Sequence, residues 1–281
     1  MKKIILFLVI IFIAGCGSEP TTYEELIAAG KKEFLSDNYV KARNLLSQAL
    51  KLDQSSRDAL YFLGMSYQRE YRLDSAFYYL KRADILNPKD REINMALYHI
   101  GVELNEYDNT IKAINVLIGT GDAPEKYYKQ LIDLNLKVEH PYVAMLYARK
   151  QLQADSTDPA NYLKLANIAS MIDSVEYAVE IIDKAIDKFG ADKQFIMNRA
   201  IYLSKRGQVA QSEKIIRDLM AQNPDDDMIK LNLANVLTIQ TNREKKLEGY
   251  NLLKEIKNSV GQVYNIDSIM TVLENELDIK K

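Results

Sequence analysis

Apolar residues recur at helical spacing in two consecutive stripes between residues 57 and 90. The first stripe has members at i, i+3, i+4 and i+7: Leu60, Leu63, Gly64 and Tyr67. The second stripe follows a short polar break: Leu73, Ala76, Leu80 and Ala83. Such spacing places each set on one face of an α-helix. The pattern therefore predicts two helices, the second capped by Asp74 and ended by Pro88.

Small residues mark the point where these two helices are expected to cross, because two backbones approach closely only where side chains are small. Gly64 and Ala76 hold these positions. We call the length of the segment 57–90 the period. Steps of one period from Ala76 reach further small residues: Ala42, Thr110, Ala144, Ala178 and Ser212. The same steps from Leu80 reach aliphatic or small residues: Leu46, Ile114, Ala148, Ile182 and Ile216. A fixed period of this length over six units predicts a stacked array of helix hairpins.

This pattern resembles that of the tetratricopeptide repeat family over about residues 23–257. Eight residues follow the family's order of large and small positions: Leu60, Leu63, Gly64, Tyr67, Ala76, Leu80, Ala83 and Pro88. The resemblance implies an all-α fold, a right-handed α-solenoid superhelix of about seven hairpins in residues 23–262, and a capping helix in residues 263–281. Tyr98 and Ile132 depart from the family pattern, which has small residues there, so we expect the third and fourth hairpins to be splayed or locally irregular.

Residues 1–15 have the pattern of an export signal. Lys2 and Lys3 precede an unbroken apolar run, residues 4–13, which is too short to span a bilayer core of ~30 Å. The run leads into Ile-Ala-Gly-Cys, which resembles the lipobox of bacterial lipoproteins. That resemblance implies that Cys16 is the lipidated first residue of the mature chain and that residues 16–22 form a short tether. An uncleaved hydrophobic anchor, or an ordinary signal with a coincidental cysteine, is the alternative.

Composition narrows the function classes. The 281 residues carry a formal net charge of −2, which gives no basic excess for nucleic acid. One cysteine and two histidines exclude a disulfide framework and a cysteine-based metal site. Neither a nucleophile–base pair nor a glycine-rich phosphate loop is recognisable. We therefore expect a protein that is not an enzyme, without cofactor or metal. Gly17 after the cysteine implies, by the enteric sorting rule, the outer membrane facing the periplasm.

Surface residues of the first helix in each hairpin carry the remaining functional information, because in the resembled family these helices line the concave groove. The residues predicted there are Tyr61, Met65, Arg69, His99, Lys164, Asn167, Asn198, Asn232 and Asn235. A row of asparagines offers donors and acceptors to an extended peptide backbone, although asparagine is also common on solvated helix faces. Tyr61 and its neighbour Phe62 either anchor a partner or pack between adjacent hairpins.

The leading expectation is a scaffold that is held on a membrane by its N-terminal lipid and docks a peptide or a partner protein in this groove. The alternative is a carrier or sensor subunit that binds a small molecule or a glycan there. A partner protein recovered by crosslinking in intact cells would favour the scaffold, whereas tight binding of a sugar or metabolite alone would favour the carrier.

Overall fold

The computed structural model describes residues 19–260 and 265–279. Within these ranges the chain forms fifteen α-helices, one 3-10 helix and no strand. Consecutive helices pair as antiparallel hairpins, which confirms the all-α fold and the solenoid arrangement expected for tetratricopeptide-type hairpins. Residue contacts divide the chain into two compact units, of which the N-terminal unit ends at Asp122 and the C-terminal unit begins at Ala123. The predicted export signal and Cys16 lie outside the described residues.

The N-terminal unit consists of three hairpins. Its six helices are α1 (Tyr23–Leu35), α2 (Tyr39–Leu52), α3 (Arg57–Arg69), α4 (Leu73–Leu86), α5 (Arg91–Leu104) and α6 (Tyr107–Gly119). The hydroxyl of Thr22 accepts from the backbone N–H of Glu25 and forms a capping box that fixes the start of α1. Helices α2 and α4 also pack against α3 and α5, the first helices of the next hairpins, so neighbouring hairpins of this unit cover each other's apolar sides.

The C-terminal unit consists of four hairpins and a final helix. It begins with the 3-10 helix (Pro124–Tyr127), followed by α7 (Tyr128–Lys137), α8 (Pro141–Ala154), α9 (Pro159–Met171), α10 (Val175–Phe189), α11 (Lys193–Lys205), α12 (Val209–Gln222), α13 (Asp227–Thr238), α14 (Arg243–Val260) and α15 (Ile266–Leu277). Helix α15 buries Ile266, Met270 and Leu273 against Leu253 and Ile256 of α14. It therefore covers the last apolar face, as predicted for a capping helix.

Glycine occupies the crossing point in the first and second hairpins. A Cβ atom placed on Gly64 would lie 2.6 Å from Cγ of Leu80 and 3.2 Å from the carbonyl oxygen of Ala76. Gly30 stands in the same relation to Leu46 one repeat earlier, with a distance of 2.7 Å to its Cγ. Leu80 and Ala76 are fully buried. Only a residue without a side chain fits between the two helices at this point.

The turns inside the hairpins repeat with the same period as the helices. One residue in each of six turns has a left-handed backbone, and these residues are spaced by one period: Asp37, Tyr71, Asn105, Glu139, Asp173 and Gly207. In every case the second helix begins two residues later. The turn conformation therefore fixes the position at which the second helix starts.

This turn explains why the predicted cap of α4 is wrong. The residue before the helix is Arg72, with no side-chain hydrogen bond to the helix, and Asp74 lies inside the first turn. Asp226 caps α13, since its carboxylate accepts from the N–H of Met228 at 3.0 Å.

Tyr98 and Ile132, which depart from the family pattern, affect their hairpins differently. In the third hairpin α5 and α6 pair as elsewhere, and the close approach lies one turn further along, where a Cβ on Gly101 would meet Oγ1 of Thr110 at 2.4 Å. The half-buried Tyr98 is thereby accommodated. The fourth hairpin is locally irregular, because it begins with the 3-10 helix and α7 has only ten residues. Ile132 is buried in α7.

Candidate functional site

First helices of neighbouring hairpins contact one another and form one layer of each unit. Helix α3 lies against both α1 and α5 in the N-terminal unit, and α11 contacts α13 in the C-terminal unit. We call the exposed side of α9, α11 and α13 the asparagine face, because Asn167, Asn198, Asn232 and Asn235 lie on these helices.

The four asparagines form two columns that follow the repeat. Asn198 and Asn232 are separated by one period and therefore hold equivalent positions on α11 and α13. Lys164 holds the corresponding position on α9. Asn167 and Asn235 are separated by two periods and form a second column, one helical turn further along. The four asparagines thus lie on three first helices, and their role in peptide binding stays a prediction.

Part of the hydrogen-bonding capacity of this face is used within the helices. The amide nitrogen of Asn198 donates to the carbonyl of Gln194 at 2.8 Å, and that of Asn232 donates to the carbonyl of Met228 at 2.8 Å. Each side-chain amide has two N–H donors and an acceptor oxygen. Each side chain therefore keeps one unused N–H donor and an oxygen that can still accept a hydrogen bond. The hydrogen bonds to the helix backbone hold both amides in a defined orientation.

Tyr202 connects the two columns. Its hydroxyl donates to Oδ1 of Asn167 at 2.6 Å and lies 3.5 Å from Oδ1 of Asn198. The side chain is only 2% exposed, and burial raises its pKa above the ordinary tyrosine value. Asn167 is exposed, and its side-chain oxygen is held by the phenol of Tyr202. The amide N–H groups of Asn167 are therefore directed away from Tyr202. Sequence reasoning missed Tyr202, although its position four residues after Asn198 was a usable signal.

The lysine of the first column makes a contact with the preceding hairpin. Nζ of Lys164 lies 3.1 Å from Oδ1 of Asp133 on α7, and both side chains are almost half exposed. An ion pair in this setting contributes at most about 1 kcal/mol, so the ammonium group can exchange partners at low cost. A peptide carboxylate or carbonyl is a suitable replacement acceptor.

Most of the residues predicted to line the groove in the N-terminal unit pack against other side chains of the protein. Tyr61 and Met65 are half-buried and pack against the cluster that contains Leu60 and Ile93. The guanidinium carbon of Arg57 lies 4.8 Å from the ring centroid of Tyr61. Phe62 makes an edge contact with Phe34 of α1, with ring centroids 5.3 Å apart. These aromatic rings therefore pack between adjacent first helices.

Two polar residues of this unit remain at the surface. Arg69 at the end of α3 is exposed, and so is His99 on α5, whose ring lies 4.9 Å from that of Tyr98. In residues 19–260 and 265–279 no group of three or more His, Cys, Asp or Glu side chains is placed to hold a metal ion. Among the helices formed by these residues, none is long and apolar enough to cross a membrane.

Comparison with known proteins adds information on the fold. No protein-family model and no curated protein sequence matches this chain. The structure of Naa15/Naa10 bound to HypK-THB aligns with a TM-score of 0.61 at 16% identity, over 88% of this chain and 38% of the matched chain. This chain thus spans little more than a third of that protein. At such identity the likeness shows the fold alone, and it agrees with the stacked helix hairpins.

Two further structures are similar over most of their own length. A tetratricopeptide repeat protein from Parabacteroides merdae ATCC 43184 is 16% identical, with 89% of this chain and 98% of that chain covered and a TM-score of 0.48. YrrB, described as a TPR protein with an unusual peptide-binding site, is 11% identical, with 66% and 94% covered and a TM-score of 0.45.

Proposed function

We propose that this protein is a non-catalytic scaffold of the bacterial cell envelope, anchored to a membrane through Cys16, that docks a peptide segment of a partner protein on the asparagine face. The observation that carries the proposal is the pair of asparagine columns on α9, α11 and α13, with Tyr202 holding the amide of Asn167 in place.

An extended peptide suits the spacing of these columns. Packed helices lie about 10 Å apart, and an extended chain advances about 3.3 Å per residue. Equivalent amides on consecutive first helices, such as Asn198 and Asn232, would therefore meet peptide groups about three residues apart. Because each amide pairs with backbone N–H and C=O groups, such a surface binds with little preference for the peptide's side chains.

The proposed lipid would hold the scaffold at a membrane surface. Residues 17–21 reach less than ~20 Å at ~3.5 Å per residue, so a lipid on Cys16 would keep the first hairpin close to the membrane surface. Confinement to that surface raises the effective concentration of the scaffold near membrane-bound partners. Exchange of Cys16 for serine should abolish labelling by a radioactive fatty acid and release the protein from the membrane fraction. Unchanged labelling would overturn the lipid assignment.

The peptide assignment is tested by removing two amides of the first column. We expect Asn198→Ala combined with Asn232→Ala to weaken capture of the partner about tenfold or more, since each hydrogen bond contributes ~0.5–1.5 kcal/mol. The matched control is Asn251→Ala with Asn258→Ala, because both side chains are exposed on the second helix α14.

The partner itself is first identified by crosslinking in intact cells. Equal capture by both double variants, with unchanged helical content, would overturn the role of the asparagine face. Recovery of no protein, together with tight binding of a sugar or metabolite, would instead support a carrier of small ligands.

A further inference from the structure

A second surface lies on the other side of the C-terminal unit, between two second helices. Helices α10 and α12 form the walls of an open groove of about 730 Å³ whose floor is α11. The apolar part of the groove includes one half-buried isoleucine on each helix, Ile186, Ile196 and Ile215, together with Leu219 of α12. We call this the α10–α12 groove; it contains none of the residues of the asparagine face.

The rim of the groove is acidic. Asp183 and Asp187 lie four residues apart on α10 and so share one face of that helix, and Asp218 stands on the α12 wall. Arg199 is the cationic lining residue, and its Nε donates to Oδ1 of Asp183 at 2.6 Å. Within the described residues neither Asp187 nor Asp218 forms an ion pair, and both are exposed. The groove therefore presents two unneutralised carboxylates, one on each wall, above an apolar floor.

Two nearby cations are held by other partners. Lys184 of α10 pairs with Glu180 at 2.6 Å, and Arg217 of α12 donates to Glu248 at 2.7 Å and to Glu213 at 3.0 Å. The N-terminal unit offers a contrast, because a groove of about 560 Å³ along α6 is lined by Lys89 and Lys112 together with Asp108. Negative charge around an apolar floor thus distinguishes the α10–α12 groove from the α6 groove.

We infer that the α10–α12 groove docks a basic amphipathic helix of a partner protein. The lining residues of the α12 wall run from Ile215 to Gln222, so the groove is about 10 Å long at ~1.5 Å rise per residue and accommodates about two turns of a partner helix. Apolar residues of that helix rest on Ile186, Ile196 and Ile215. Lysine or arginine side chains at its two flanks reach Asp187 and Asp218. A single small cation would leave most of the apolar floor uncovered.

The experiment uses a fluorescent synthetic peptide as long as the α12 wall, in which leucines and lysines are segregated to opposite helix faces. Its affinity for the full chain is measured by fluorescence anisotropy. We expect Asp187→Ala with Asp218→Ala to weaken binding about tenfold. The control variant, Glu24→Ala with Asp74→Ala, removes the same net charge from exposed carboxylates elsewhere and should change affinity less than about twofold.

Two further measurements separate this proposal from simple charge attraction. A scrambled peptide of the same composition, which has no apolar face, should bind at least about tenfold more weakly. A photoreactive group on the amphipathic peptide should label α10 and α12. Equal losses in both double variants, equal binding of the scrambled peptide, or labelling confined to the first helices would each overturn the inference. None of these results bears on the asparagine face, whose own test uses a different double variant.

Discussion

The crossing glycine of the second hairpin provides a sharp test of the packing described above. In Gly64→Ala the new Cβ would lie 2.6 Å from Cγ of Leu80 and 3.2 Å from the carbonyl oxygen of Ala76. Cγ is the branch point of a fully buried leucine, so it has no open space to enter. The backbone oxygen on the adjacent side also prevents the methyl group from moving away.

Two opposing terms set the magnitude. Exchange of glycine for alanine inside a helix stabilises by about 1 kcal/mol through helix propensity. Overpacking of a filled core costs about 1–3 kcal/mol. Because the contact with Leu80 is far below van der Waals distance, the cost lies in the upper part of that range. We therefore expect Gly64→Ala to lower the free energy of unfolding by about 1–2 kcal/mol, the difference between the two terms.

The assay is urea unfolding followed by circular dichroism at the helix band, with Gly119→Ala as the control. Gly119 is the last residue of α6, and a Cβ there meets nothing within 4 Å. This variant should be unchanged or stabilised by up to about 1 kcal/mol. Gly30→Ala should behave like Gly64→Ala, because its Cβ meets Leu46 in the same way. Stabilisation of both the Gly64 and the Gly119 variants would refute the crossing geometry.

Three further variants test other features. Tyr71→Asn should raise stability by about 1 kcal/mol in thermal unfolding, because Tyr71 has a left-handed backbone (φ 56°) that asparagine tolerates better; a lower melting temperature would contradict this. Glu213→Gln should destabilise at pH 7: burial alone would raise the pKa of Glu213, but hydrogen bonds led by Lys245 lower it to about 2. A folded-state pKa below the unfolded value of about 4.5 stabilises the protein above that pH. The difference in unfolding free energy between wild type and variant should therefore shrink as an acid titration goes from pH 4.5 to 2. A constant difference would argue against the ion pair. Tyr202→Phe should weaken peptide capture severalfold with full helical content, through loss of the bond to Asn167; unchanged capture would show that the phenol does not position that amide.

Local sequence patterns predicted the hairpins because their period is set by packing that every repeat must satisfy. Gly64 and Ala76 mark a crossing that recurs along the array, and the seven hairpins and capping helix are confirmed within residues 19–260 and 265–279. The start of α4 was not predictable from Asp74, because the left-handed residue Tyr71 decides where that helix begins. Tyrosine is an unusual residue at such a position, so no turn signal is visible there in the residue types.

Contacts between distant residues were harder to predict. The asparagines could be placed on first helices by counting, but the bond from Tyr202 to Asn167 joins residues 35 apart on different hairpins. The α10–α12 groove depends on the relative placement of three helices and on which charges are already paired. Neither property has a local signature, which is why both required the structure.

The most direct test of the asparagine face is site-specific photocrosslinking in intact cells from two matched positions. A photoreactive amino acid replaces Asn235, exposed on the first helix α13, or Asn251, exposed on the second helix α14. Docking of a partner on the asparagine face predicts a protein adduct from position 235 that disappears when Asn198 and Asn232 are changed to alanine. An adduct that forms only from position 251, or one from position 235 that survives those two changes, would contradict it.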